Sequence, residues 1–585
     1  MAGAAVLLAA ADTYVVVLAL PSIMSDLGID IQELQRATPI VSGFLLGYVA
    51  VLPLLGRLSD RYGRGPVFLS CLGIFAAGSL VTASGQTLAA VVAGRTLQGL
   101  GGGGLVPVTL ALVADGWPPS KRGAPLGAVG AAQELGALAG PLYGAAVISL
   151  ASWRWIFWLN LPLAAVAALA FLLRGGAGGR TPGLRDPVGG LLLGLAAAAA
   201  VLAVTIPAPL ASSDTLGQLY APQVADAAWS TPMVGIAGAL LAAACAWELA
   251  EPGGLRPLLP LRRLPNAWRA VDWPGATLLA GTLGCVVLAF AAADPAHEVV
   301  AGGVGIALLP TAALLGAGFV IRELRATDPL VRLSALRERA AWGALVVNLL
   351  VGAALMAALV DVPLFARATV DPGSQVGAAL VLTRFLVAVP VGALAGGVLC
   401  QRLGNRAVAA AGMLLSGLGF AAMAGWDAAA LGGGLMVAGR ALPVRVSDVH
   451  LLLAGLGFGL VIAPVNAAML GAVRASLHGL ASALVVVARS MGMLVGLSLL
   501  TALGLRRFYA AEATIPPVQD LCPAGQLRCP AYDARVTAAV LSELHLIFAA
   551  AALCALGAAI CAALLLGGRT AASAPTARGR TPVAG

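Results

Sequence analysis

Gly56-Arg57-Leu58-Ser59-Asp60-Arg61-Tyr62-Gly63-Arg64 is a short basic turn held between two apolar runs, 38–56 and 66–84. Gly397-Val398-Leu399-Cys400-Gln401-Arg402-Leu403-Gly404-Asn405-Arg406 stands in the same relation to the runs 376–399 and 407–424. Each turn joins the second and third apolar runs of a set of six. The first runs of the two sets also echo one another, Ala10-Ala11-Asp12-Thr13-Tyr14-Val15 against Ala358-Leu359-Val360-Asp361-Val362-Pro363. Two related six-helix halves packed face to face leave a cavity at their interface, near the midplane of a membrane.

The rest of the chain fits that frame. Hydrophobic residues make up 60% and charged residues 10%, with mean hydropathy +0.94. A soluble domain must cover its surface with polar groups, so this balance describes a chain whose solvent is mostly lipid. A helical span needs about 20 apolar residues. Sixteen runs qualify, near 4–24, 38–56, 66–84, 88–113, 123–149, 155–173, 188–206, 233–250, 274–293, 302–321, 341–365, 376–399, 407–424, 451–473, 479–503 and 544–567. The count falls to fourteen if 188–206 and 233–250 do not cross. The expected fold is an all-α polytopic membrane protein. It divides into a six-helix bundle over 1–175, a central insert of four or two spans over 176–340, a second bundle over 341–567 and a disordered tail over 568–585. Segments 207–232, 425–450 and 504–543 are expected as outer loops.

Basic residues set the orientation. With both termini cytoplasmic, 23 of the 35 basic residues fall in inner loops and the tail, as the positive-inside rule requires. The net charge of +9 needs no nucleic-acid partner, because the arginines border spans and form no stripe on a basic domain. No cleavable signal peptide is expected, since neither a basic leader nor a clear small-residue cleavage site precedes Asp12. A leading cytoplasmic segment is expected to precede Met1.

Several enzyme classes are unsupported. Lys121 is followed by Arg122, so the Gly-Lys-Ser/Thr of a phosphate-binding loop is missing. His297, His450, His478 and His545 are scattered and form no metal spacing. No credible Ser/His/Asp set is present. The chain reads as a non-enzyme without cofactor or metal. Cys522 and Cys529 lie in a polar, Pro-containing outer loop, where a disulfide is plausible on the oxidising side. The other six cysteines read as small core residues.

The turn at Gly56–Arg64 resembles the signature loop of the major facilitator superfamily, in its drug:proton antiporter branch with extra central helices. In that family Gly56, Asp60, Arg61, Gly63 and Arg64 would form a latch that stabilises the outward-facing state. The plain alternative is a solvated basic turn that sets topology only. Gln133-Glu134-Leu135-Gly136-Ala137-Leu138-Ala139-Gly140-Pro141-Leu142-Tyr143-Gly144 resembles the antiporter motif, which the family ties to export. Gly136, Gly140 and Gly144 share one flat face that admits a neighbouring backbone, and Pro141 permits a bend. Arg95-Thr96-Leu97-Gln98-Gly99 resembles a third signature whose arginine is linked to proton transfer. An arginine at that depth costs about 2.5–3.5 kcal/mol on insertion scales, which a carboxylate or carbonyl can offset. A structural arginine bonded to carbonyls of the first helix is the alternative.

Asp12, Glu134, Arg384 and Arg489 are the remaining buried charges. Burial favours the neutral form of a carboxylate and an approaching arginine favours its ion. The expectation is that Asp12 or Glu134 binds a proton in one state and pairs with Arg384 or Arg489 across the halves in the other. A permanent ion pair that fixes packing is the competing reading. Asp12–Val17, Leu46-Gly47-Tyr48, Gln133–Tyr143 and Thr383–Ala388 together resemble actinobacterial triacylglyceride exporters. The resemblance implies an exporter of triacylglyceride-like lipids or amphiphilic drugs, driven by the proton gradient in a bacterial plasma membrane, with an extracytoplasmic lipoprotein as a partner. An uptake permease and a non-transporting receptor are the alternatives. Trp153-Arg154-Trp155-Ile156-Phe157-Trp158-Leu159-Asn160-Leu161-Pro162 reads as an interfacial aromatic belt.

Overall fold

The computed structural model describes residues 2–29, 34–173, scattered positions in 188–221, 231–250, 272–291, 303–326, 329–331, 336–369, 375–432, 434–437, 440–522 and 529–567. The first half holds α1 (Ala2–Asp26), α2 (Leu34–Tyr62), α3 (Arg64–Ser84), α4 (Leu88–Gly116), α5 (Gly123–Leu150) and α6 (Arg154–Leu173). Between the halves lie α7 (Pro232–Ala250), α8 (Trp273–Ala291) and α9 (Gly303–Arg325). The second half holds α10 (Arg339–Thr369), which includes a π-helical turn at Ala357–Asp361, then α11 (Gln375–Leu403), α12 (Asn405–Met423), α13 (Val446–Ala472), α14 (His478–Glu512) and α15 (Pro530–Leu565). Among the described residues 11 helices are long and apolar enough to cross a membrane, or 12 with α1 taken as one bent span. The run 188–206 lies mostly outside the described residues.

The halves are wired alike. α1 packs on α5, α2 on α4, and α3 on α4 and α6. In the second half α10 packs on α14, α11 on α13, and α12 on α13 and α15. The two quoted turns are also equivalent. Gly63 (φ 94°) precedes α3 and Gly404 (φ 83°) precedes α12. That backbone region costs a side chain, so each reversal needs glycine.

Lipid gives packed helices no hydrophobic drive toward each other, so close contact rests on small residues. On α5, Gly136 faces the carbonyl of Leu7, Gly140 that of Ala11, and Gly144 the Val15 side chain, so α1 and α5 run parallel and almost touching. Gly492 and Gly496 on α14 do the same for Leu349 and Ala353 on α10. Pro141 lies within an α5 that stays helical on both sides of it.

Two loop expectations are corrected. Segment 425–450 is not all loop: Gly434–Val437 and Arg440–Arg445 pair as an antiparallel hairpin, and α13 begins at Val446. The 504–543 loop shrinks because α14 continues to Glu512 and α15 starts at Pro530. Both helices run past the apolar stretch because Ala-rich, charged residues are good helix formers outside lipid. Cys522 and Cys529, in the short connection, form a disulfide.

Within the insert, α8, α9 and the residues Leu330 and Val331 pack against one seam between the halves. Val49 and Leu52 of α2, Leu283 and Val287 of α8, and Ala483 and Val487 of α14 form one apolar cluster. Leu330 and Val331 join Ala276, Phe319, Leu477 and Leu480 in another. Glu323 fixes this corner by accepting the Val331 N–H at 2.8 Å.

Candidate functional site

A cavity of about 530 Å³ lies between the halves. Its walls come from α1, α2, α4 and α5 on one side and α10, α11, α13 and α14 on the other, and they are mostly aliphatic. Glu134, Arg489, Tyr14, Tyr48, Asn348 and Ser490 supply polar groups. The volume is within the range of about 300–1,000 Å³ usual for sites that hold drug-sized ligands.

Glu134 and Arg489 meet inside this cavity. Arg489 Nη2 stands 2.7 Å from Glu134 Oε1, an ion pair drawn from α5 and α14 and so from both halves. Removing one partner of such a pair leaves an uncompensated buried charge, which is strongly unfavourable.

Asp12 has a different partner from the one its sequence suggests. It pairs with Arg95, within its own half: Arg95 Nη1 reaches Asp12 Oδ2 at 2.5 Å, with both side chains at most 1% exposed. Oδ1 accepts Asn160 Nδ2 at 2.7 Å and Gln98 Nε2 at 3.2 Å. The two amides also lie near Ser79 Oγ. The Arg95 guanidinium lies 4.3 Å from the Phe44 ring centre and 5.7 Å from that of Phe157. These aromatic faces offset part of the cost of a buried cation. In this conformation the pairing replaces the cross-half partner expected for Asp12, and of the two groups expected to offset Arg95, carboxylate or carbonyl, it is the carboxylate that does so. A carboxylate offers better compensation than a carbonyl.

Asp12 does not line the cavity, whereas its neighbours Thr13 and Tyr14 do. Arg384 is also placed elsewhere. It is 34% exposed in its side chain and pairs with Asp448 at 2.6 Å, within the second half. Asp448 in turn accepts the Arg445 N–H, at the foot of the hairpin. Arg384 therefore meets neither Asp12 nor Glu134 in this conformation.

The basic turn closes one end of the interface. Asp60 accepts the N–H groups of Gly479 at 2.8 Å and Leu480 at 2.9 Å, the first turn of α14. A carboxylate suits the positive end of a helix. Arg64 pairs with Asp60, bonds Ser59 Oγ at 3.0 Å and Asp115 at 3.1 Å, and reaches the Ala475 carbonyl at 3.3 Å in the other half. His478 Nδ1 lies 3.3 Å from Asp115. Arg61 occupies the last turn of α2. Gly56 admits the backbone of Gly479, and Gly397 admits that of Gly123 in the matching contact between α11 and α5.

Comparison with known proteins decides the family. The sequence model of the Major Facilitator Superfamily matches residues 2–497. The chain belongs to the major facilitator superfamily. It is therefore a multi-span membrane transporter and not an enzyme. Curated relatives in this superfamily include a triacylglyceride transporter of Mycolicibacterium hassiacum, 37% identical over 97% of this chain and 91% of that one. A triacylglyceride transporter of Mycolicibacterium smegmatis is 39% identical over 87% of this chain and 76% of that one. Among solved structures, the human organic anion transporter MFSD10 matches with TM-score 0.50 and 17% identity, over 96% of this chain and 97% of that one, which speaks to the fold alone.

Within this superfamily member, sequence reasoning missed Gln98, Asn160, Ser79 and Asp115. Gln98 stood inside the quoted helix 4 signature, one turn from Arg95, and that spacing on a helix places it on the same face. Asn160 was hidden in an aromatic run.

Proposed function

We propose that the chain is a proton-coupled exporter of lipophilic substrates that works by alternating access, with triacylglyceride-like lipids as its principal cargo. The observation that carries this reading is the Glu134–Arg489 pair, which bridges the two halves inside a mostly aliphatic cavity. Protonation of Glu134 removes its charge and frees Arg489, which loosens one half from the other. Asp12 and Arg95 form the second proton-linked pair, within the first half. The names of the mycolicibacterial relatives support lipid as the substrate class.

The conformation described is read as outward-facing. Its closed end carries Asp60, Arg64 and the Gly56–Gly479 contact, and the bias of arginines supports a cytoplasmic position for that end. The two halves, roughly 1–175 and 341–567, are taken as the rocking bodies, and a bacterial plasma membrane as the location. An extracytoplasmic lipoprotein is a fitting partner, because an apolar lipid released outside needs an acceptor.

A second cargo, amphiphilic drugs, is favoured by the cavity volume of about 530 Å³. Reconstitution in liposomes separates the two. A fluorescent triacylglyceride and a cationic dye are compared with and without a proton gradient, for the wild type and Glu134→Gln. The expected result is gradient-driven movement of the lipid, lost in the variant. Equal lipid movement without a gradient, or full activity of Glu134→Gln, would refute the coupling.

A further inference from the structure

Asp12 is held by more donors than an ion pair requires. Arg95 satisfies Oδ2, while Oδ1 takes Asn160 at 2.7 Å and Gln98 at 3.2 Å. The two amides are not equivalent. Gln98 is tied down: its carbonyl oxygen accepts Arg95 at 3.0 Å and Thr82 at 3.2 Å, and its amide donates to Ser79 at 2.7 Å. Asn160 reaches the same two acceptors, Asp12 at 2.7 Å and Ser79 Oγ at 3.3 Å, but Arg95 and Thr82 donate to the Gln98 oxygen and not to that of Asn160. It is 2% exposed, on α6, the helix that also sets the Phe157 ring beside Arg95.

We propose that Asn160 is a positioning residue that sets the proton affinity of Asp12, donating to the carboxylate when it is ionised and turning to Ser79 when it is protonated. This rests on the reading of Asp12 as a coupling carboxylate. The physical reason is one of donor and acceptor count. An N–H that donates to a carboxylate stabilises the charged form. Once that oxygen carries a proton, the donor loses much of its partner, and a buried donor left unmade is costly. Ser79 Oγ offers the alternative without disturbing Arg95 or Gln98. The charged and titratable groups facing Asp12 are few among the described residues. Arg95 comes from α4, and Tyr143 comes from α5 with its hydroxyl on the Ile156 carbonyl at 3.2 Å. From α3 and α6 the cluster receives the neutral groups Ser79, Thr82 and Asn160. An amide is thus the adjustable element in a site whose charges are otherwise fixed.

The test reads the carboxyl itself. The infrared band of a protonated carboxyl that disappears in Asp12→Asn is followed against pH in the purified full-length protein. Asn160→Leu keeps the bulk and removes the donor. It moves the half-point of that band to higher pH by about one unit or more, the worth of a hydrogen bond to a charged group. Asn160→Ser keeps a donor and moves it less. Asn160→Ala provides the same readout if the leucine variant does not fold. The pH profile of gradient-driven fluorescent triacylglyceride transport moves in parallel. An unchanged half-point in the folded Leu or Ala variant overturns the proposal. A half-point that moves while the transport profile stays fixed upholds the role of Asn160 and overturns instead the coupling role of Asp12.

Discussion

Gly56 and Gly479, one from each half, meet backbone against backbone. A Cβ on Gly56 would stand 2.5 Å from the Gly479 carbonyl oxygen, and the two nearest atoms it meets are main chain that cannot swing aside. The closed end of the interface therefore depends on two absent side chains as much as on the charges beside them.

Gly56→Val is expected to disfavour closure at this end. Overpacking of this kind costs about 1–3 kcal/mol, or roughly a 5- to 150-fold shift toward the state open there. Cross-linking between cysteines placed at Ser59 and Ser476 reads the shift, and an unchanged yield would contradict it.

Asp60→Ala removes the carboxylate from the first turn of α14 and leaves the Gly479 and Leu480 N–H groups without it. The expected loss for such a cap is about 0.5–2 kcal/mol. It is checked by the same cross-link and by slower transport. Asp60→Asn, which keeps an acceptor, is expected to lie between the two.

Arg95→Met leaves the buried Asp12 without its counter-ion and is expected to lower stability by about 3–5 kcal/mol. The double variant Asp12→Asn with Arg95→Met is expected to be more stable than Arg95→Met alone. Thermal unfolding in detergent compares them, and strictly additive losses would speak against a compensating pair.

Asp12→Asn is expected to abolish gradient-driven transport while the protein still reaches the membrane in normal amount. Liposome transport and membrane quantification are the two readings, and undiminished transport refutes the coupling role of Asp12.

Thiol titration of the denatured protein is expected to find six free cysteines without reductant and eight with it, because only Cys522 and Cys529 are joined. Eight at the outset would remove the disulfide.

The fold was legible because glycine-punctuated turns repeat. Gly63 and Gly404 mark equivalent reversals, and the apolar runs around them give the helices. Partners were less legible. An all-apolar helix gives no hydrophobic stripe to say which side faces which neighbour, so nothing local in the sequence tells that Glu134 meets an arginine of the other half while the partner of Asp12 lies on α4. Asn160 is masked by its aromatic neighbours, since nothing local separates a buried amide from a belt residue. The hairpin at 434–445 is hidden in the sequence because its strands are short and carry Pro443, a residue that weakens any strand reading.

Thr13 and Tyr14 look into the central chamber while Asp12, on the same helix, looks away from it into a sealed polar nest. On the proposed reading one acid, Glu134, stands where a guest would lie, and a second, Asp12, stands where no guest can reach. A bulky guest never has to fit around Asp12. Lining residues other than Glu134 and Arg489 can be exchanged to suit a new molecule while that second acid keeps its surroundings.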